Sequence, residues 1–417
     1  MRHGLAIVPT APERLRNRDS DFPFRFDSYF HYLSGFPEPE AVVVLIAGDK
    51  PKSILFCREK NLEREIWDGY RYGPEAARET FGFDEAHAVD RVEELLPQLM
   101  ANQPVLYYSP GFDTAWDSRV MDWLNKVRAQ GRAGVTAPTE IRDVHVLLDE
   151  MRLIKDQTEL ATMRRAAAIS AAAHCRAMRA TRPGATEYQI EAELLHEFRR
   201  EGSQSPAYGS IVASGPNSCV LHYRGNDRTM RDGEMLLIDA GCEYDGYASD
   251  ITRTFPVNGK FSGAQKAVYE IVLASQAAAI AEVKAGSTYN QPHDAATRVL
   301  AQGMIDLGLC KGPLDALLES GDYRRFYMHR TGHWLGLDVH DCGEYKVEGE
   351  WRPLQPGMVL TIEPGFYIRE ADDIPRDFWN IGVRIEDDVL VTESGNEVLS
   401  YGVPKKTADI EALMRGA

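Results

Sequence analysis

Over roughly the first third of the chain, apolar runs of strand length alternate with stretches whose apolar residues recur at helical spacing. AVVVLIAG (41–48), SILFC (53–57) and PVLYYS (104–109) are bounded by Gly, Pro and charged turn residues and predict buried strands. Gly4 to Val8 adds another strand-like segment near the start. VEELLPQLM (92–100) and SRVMDWLNKVRAQG (118–131) predict helices. Strands and helices in alternation predict an α/β layer domain. GRAGVTAPTEIRDV (131–144), rich in Gly, Ala, Thr and Pro, reads as a linker, so the expected domains are 1–145 and 146–417.

The pattern then changes. Asp156 and Glu159 form a capping box ahead of an Ala-rich helix that runs to about Ala180. RPGAT breaks the chain, Thr186 and Gln189 form a second box, and Ile190, Leu194 and Phe198 mark one helix face up to Gly202. Strand-like sequence follows to about Val257. The same order then returns: a box at Ser262 and Gln265, a helix to about Val283, the connector AGST, a helix from Gln291 to Leu307, and strands to Val391. Two helix–helix–strand units, 156–257 and 262–391, read as an internal duplication, against chance likeness of Gly-rich connectors. The second domain is then α+β, two related halves around a cleft.

At 417 residues the chain exceeds one ordinary core, and 44% hydrophobic with 26% charged residues is a normal globular balance. A formal charge of -16 argues against nucleic acid or an anionic membrane surface as partner. Six cysteines without CxxC spacing read as reduced thiols. The longest apolar run, Ala41 to Ala47, is too short to span a bilayer, and the expectation is a cytoplasmic protein.

Candidate chemistry sits in the second domain. Asp239 and Asp250 flank the turn Glu243–Gly246, His333 lies in HRTGHWLGLDVHD, Glu363 in LTIEPGFY and Glu386 in GVRIEDDV. Four carboxylates and an imidazole make a hard, oxygen-rich donor set with capacity for two divalent ions, which points to metal-assisted hydrolysis. With a four-residue turn Asp239 opposes Asp250; with a two-residue Asp245–Gly246 turn it opposes Thr252. Both registers leave the aspartates on one face, where like charges repel unless a cation lies between them. Glu363 ends an apolar strand on the face of Thr361 and Val359, and Glu386 shares a face with Arg384. Buried carboxylates of this kind need a metal, a cation or a proton. Arg384 either holds a ligand carboxylate or forms an ordinary Arg–Glu pair within the sheet. Gly332 and Gly336 beside His333 allow close backbone approach, while His329 and His340 divide into catalytic or orienting roles. For His222, in SCVLHYRG, core and site are both open.

IDAGCEYDGYASDITRTFPVNGKF, GHWLGLDVHD, GMVLTIEPGFY and GVRIEDDVLVTESGNE together resemble the creatinase/methionine-aminopeptidase, or pita-bread, metallopeptidases. DSDFPFRFDSYFHYLSGFPEPEAVVVL and EIWDGYRYGPEAA extend the resemblance, over nearly the whole chain, to the Xaa-Pro aminopeptidase (aminopeptidase P) members. The resemblance implies a creatinase-like N-terminal α/β domain and a C-terminal pita-bread domain with pseudo-twofold halves. It implies Asp239, Asp250, His333, Glu363 and Glu386 as ligands of two divalent ions, Asp250 and Glu386 bridging, with manganese the expected metal and zinc or cobalt the alternatives. It implies His222 and His340 at the substrate carbonyl, Arg384 and Tyr367 near the metals, Glu363 as the proton carrier, and Trp67 reaching a neighbouring subunit's site in a homotetramer or dimer. The implied reaction is attack by a metal-held hydroxide on the bond preceding a proline at the second position of a peptide. The other readings are a prolidase, restricted to Xaa-Pro dipeptides, and a non-catalytic peptide-binding relative. Two departures stand out: relatives carry arginines where GEYKVEGEWRPLQPG keeps only Arg352, and their first N-terminal helix has no counterpart.

Overall fold

The computed structural model describes residues 1–416, which divide into two compact units, the first Met1–Glu150 and the second beginning at Met151. In the first, a mixed six-stranded sheet runs in the order β4-β3-β2-β1-β5-β6. Its strands are β1 (Gly4–Pro9), β2 (Val42–Ala47), β3 (Lys52–Cys57), β4 (Glu85–Ala88), β5 (Val105–Tyr107) and β6 (Glu140–Arg142). The central strands are apolar on both faces because both faces are covered. Ile7, Val44 and Phe56 pack with Leu96 of α2 (Val92–Met100) and Trp123 of α3 (Thr114–Arg128), while Val8, Val43 and Leu55 pack on the other face with Phe30 and Phe36. β6 lies inside the segment expected to be a linker. Its three residues are exposed and polar-rich, an edge strand held by pairing with β5 rather than by its own pattern.

The second unit repeats one arrangement. Helices α4 (Gln157–Ala180) and α5 (Glu187–Arg200) precede an antiparallel sheet β7-β8-β11 made of Ile211–Ser214, Met235–Asp239 and Thr252–Pro256. Between β8 and β11 lie the short strands β9 (Cys242–Tyr244) and β10 (Tyr247–Ala248). Helices α6 (Gly263–Ala281) and α7 (Gln291–Asp306) precede β12 (Val359–Ile362), β13 (Gly365–Ile368), β14 (Ile381–Arg384), β15 (Asp387–Thr392) and β16 (Gly395–Val398). Capping boxes at Asp156/Glu159, Thr186/Gln189 and Ser262/Gln265 open three of the four helices, as their spacing predicts.

Register follows the two-residue turn. Tyr244 pairs with Tyr247, and Asp245 (φ 47°) and Gly246 (φ 83°) take the left-handed angles that a tight twisted hairpin requires. Asp239 therefore pairs with Thr252. The halves meet through buried polar bonds: Arg384 N donates to Thr254 Oγ1 at 3.1 Å and Glu386 N to Thr252 O at 3.0 Å. Beside this seam Arg253, fully buried, donates to Asp387 Oδ1 at 2.7 Å, and Lys405 reaches Asp387 Oδ2 at 2.6 Å. Breaking a buried ion pair by removing one partner typically costs about 3–5 kcal/mol, so these charges hold the halves in one arrangement.

Candidate active site

Asp239 ends β8 and Asp250 lies between β10 and β11; the segment before β12 carries His333, Glu363 directly follows β12, and Glu386 lies between β14 and β15. All five line one cavity of about 820 Å³, together with His222, His340, His329, Tyr208 and Arg384. Ligand atoms of Asp250, His333 and Glu386 lie within 4.8 Å of one another. His333 Nε2 is 3.4 Å from Asp250 Oδ2 and 4.0 Å from Glu363 Oε1. Its Nδ1–H donates to the Trp334 carbonyl at 2.9 Å, which turns Nε2 toward the carboxylates. Gly332 is required here, since a β-carbon would collide with the Thr361 carbonyl.

The carboxylates crowd one another. Burial and the charges of Asp250, Glu363 and Asp239 push Glu386 well above the usual carboxylate range. Burial pushes Glu363 up to about 7, with His333 and Arg384 opposing. Burial also raises Asp239 against the pull of Arg384. Asp250 goes the other way: burial raises it, but the hydrogen bond and charge of His333, the Tyr208 hydroxyl and the charge of Arg384 together lower it. For His333 burial opposes the charge, but Asp250 and Glu363 win and raise it to about 9. Four buried carboxylates around one imidazole fit divalent cations: their mutual repulsion is what a cation relieves, and their oxygens suit hard ions.

Supporting groups fix the carboxylates. Arg384 Nη2 donates to Asp239 Oδ2 at 2.6 Å and Nη1 to the Tyr367 hydroxyl at 3.0 Å. Arg384 thus crosses to the other half instead of pairing with Glu386 beside it. Thr252 Oγ1 donates to Glu386 Oε2 at 2.6 Å. Three further groups support the cluster, and of these only His329 is marked in the sequence, as a catalytic or orienting histidine. The Tyr208 hydroxyl bonds both Asp239 and Asp250 from the loop before β7. His329 Nε2 meets the Tyr367 hydroxyl at 2.8 Å, and burial and Arg384 hold this imidazole down to about 3, hence neutral. Asp388 accepts from Asp250 N at 3.1 Å. Tyr208 and Asp388 belong to no motif and are found only by tracing contacts.

The remaining residues fall in different places. His340 sits with its ring 4.2 Å from that of His333, its pKa lowered by burial and by His333. His222 is exposed on the cavity wall, and Tyr367 is 1% exposed behind Arg384. Trp67 lies in the N-terminal unit on Leu62–Asp68 and is 82% exposed. Arg352 is buried at the base of a small hairpin, Lys346–Val347 with Glu350–Trp351, formed by the altered loop.

Two like α+β halves, each lending carboxylates to one acidic cavity, define a metallohydrolase-type site in the pita-bread fold. The chain belongs to metallopeptidase family M24, whose model matches residues 161–393, and residues 1–107 match the aminopeptidase P N-terminal domain. It is 46% identical to the Xaa-Pro aminopeptidase of Escherichia coli K12 over 414 residues, 99% of this chain and 94% of that one. The Pseudomonas aeruginosa aminopeptidase PepP structure superposes with a TM-score of 0.98 at 50% identity, covering 100% of this chain and 95% of that one. A zinc-substituted E. coli aminopeptidase P in complex with product gives 0.97 at 46% identity, with coverage of 100% and 95%.

Proposed function

We infer that the protein is a metal-dependent Xaa-Pro aminopeptidase, releasing the N-terminal residue of peptides whose second residue is proline. The observation that carries this is the joint presence of the five-ligand cavity and an N-terminal unit matching the aminopeptidase P domain. A divalent metal, when bound, supplies Lewis acidity that makes water nucleophilic near neutral pH. Asp239, Asp250, His333, Glu363 and Glu386 would hold it, two ions being the reading that the donor count supports.

Glu363 takes the proton of the attacking water and passes it to the leaving nitrogen. His340 and His222, on the cavity wall, hold the carbonyl of the first residue and stabilise its developing negative charge. Arg384 and Tyr367 keep Asp239 in place. The substrate's free amine sits at the acidic end, near Asp239. Proline offers no N–H, so the site selects it by the shape of its ring rather than by a hydrogen bond.

Manganese suits the carboxylate-rich set better than zinc does. A homotetramer or dimer is supported by Trp67, Ile66 and Leu62, which are 82%, 80% and 71% exposed on one short helix of a single subunit. A cytoplasmic location is supported by six free thiols and by the finding that no described helix is long and apolar enough to cross a membrane. The test is metal-stripped protein reloaded with manganese, offered an Arg-Pro-Pro-type peptide and an Ala-Pro dipeptide, with release of the first residue followed by chromatography. Metal-dependent cleavage of the longer peptide is expected. Cleavage of the dipeptide alone would make it a prolidase, and cleavage of neither with metal bound would leave a peptide-binding protein.

A further inference from the structure

Three cations line the same acidic cavity without a carboxylate partner among the described residues. Arg224, Arg330 and Lys346 are all exposed on its wall. Arg330 donates to the Asn290 side-chain oxygen, and its guanidinium lies 4.8 Å from the Trp351 ring centroid. Lys346 Nζ lies 4.5 Å from the same centroid. In a chain with a formal charge of -16, cations usually find a carboxylate; Arg330 and Lys346 instead rest on the Trp351 face.

Their place in the cavity is set by a run of rings. Tyr289 packs 4.8 Å from Trp334, the residue after His333, and 6.2 Å from Trp351. These two steps lead from the ring beside His333 to the Trp351 ring on which Arg330 and Lys346 rest, a path on the order of three extended residues at about 3.3 Å each. A peptide cut at the metal end would carry its third or fourth residue to them.

We propose that Arg330 and Lys346 form a carboxylate-reading rim that selects peptides bearing a negative charge two or three residues beyond the cleaved bond. This rests on the Xaa-Pro aminopeptidase reading of the same cavity. The carboxylate can be the C-terminus of a short peptide or an acidic side chain within a longer one. Discrimination here is modest, since exposed ion pairs contribute little, and a preference of about three- to tenfold is expected.

The test uses the manganese-loaded enzyme with Ala-Pro-Ala-Ala as free acid and as C-terminal amide, and with amidated Ala-Pro-Ala-Asp. The wild type is expected to show a higher kcat/KM on the acid than on the amide, carried by KM and shrinking as salt is raised. Lys346→Gln and Arg330→Gln should bring the acid-to-amide ratio toward unity, while Lys346→Arg should retain it. If amidated Ala-Pro-Ala-Asp matches the free acid, the rim reads any carboxylate at that distance; if it matches the amide, the rim reads the chain terminus. Equal rates on acid and amide in the wild type, or a ratio unchanged in both Gln variants, would overturn the rim and leave these cations as charge balance for the metal ligands. No cleavage of the amide or the acid would instead count against the aminopeptidase reading.

Discussion

Replacing Glu363 by Gln separates the cost of the empty acidic cluster from its use. Glu363 is held up at about 7 against an ordinary 4.5, by burial first and by Asp250 and Asp239 after it. An acid whose folded pKa is raised keeps its proton in the native state after the unfolded chain has lost it. Stability therefore falls as pH rises from about 4.5 through about 7. A rise of this size corresponds to about 3 kcal/mol once both states are ionised. Glu363→Gln removes the charge at nearly constant volume, so the metal-free variant should be more stable than metal-free wild type at pH 8 and equal to it at pH 5. At roughly 2–4 °C per kcal/mol for a unit of this size, the upper bound on the shift is about 6–12 °C. His333 loses one of two carboxylate neighbours and takes back part of that gain. Calorimetry in chelator at both pH values measures it. Manganese added at pH 8 should raise the wild-type Tm, by up to about 4 kcal/mol in stability at a thousandfold excess over Kd, and raise the variant much less. A variant destabilised equally at pH 5 and pH 8 would refute the claim that Glu363 is strained by like charge.

Glu386→Ala should abolish peptide cleavage and most metal binding, measured by metal content after dialysis; an active, metal-loaded variant would remove Glu386 from the ligand set. Tyr208→Phe deletes only the hydroxyl shared by Asp239 and Asp250, and should weaken manganese about 10–100-fold in a chelator competition. Wild-type affinity in that variant would show that the ligands orient themselves without it. Asp341→Asn removes the charge that Lys155 Nζ meets at 2.9 Å and one of the two carboxylates on Arg152, which keeps Asp338 at 2.7 Å; both cationic side chains are 1% exposed. It should cost about 3–5 kcal/mol in denaturant unfolding, and a loss below about 1 kcal/mol would show that water reaches the pair.

Much of this was legible in the chain. Three capping boxes mark helix starts, and the apolar strand leading to Glu363 betrays a buried carboxylate, because both patterns are local and periodic. The hairpin register was legible only as two alternatives, since it turns on whether Asp245 accepts a positive φ. Strand β6 was hidden because an exposed edge strand of three residues has no burial pattern to show. Arg384 carries two readings in the sequence, a hold on a ligand carboxylate or a pair within its own sheet, and its partner Asp239 lies in the other half. Tyr208 and Asp388 act through contacts between segments far apart in sequence, where no spacing rule operates.

The seam between the halves has a consequence for the order of events in folding. Thr252 meets Glu386 across 134 residues and Arg384 meets Asp239 across 145, so the acidic cavity is complete only after both halves have formed and docked. Contacts of such long range are among the last to be rewarded, because chain closure must come first. A metal ion that needs both halves has little to grip in the folding transition state. It should then leave the refolding rate nearly unchanged and act almost wholly by slowing unfolding, making the catalytic ion a kinetic lock on the finished domain.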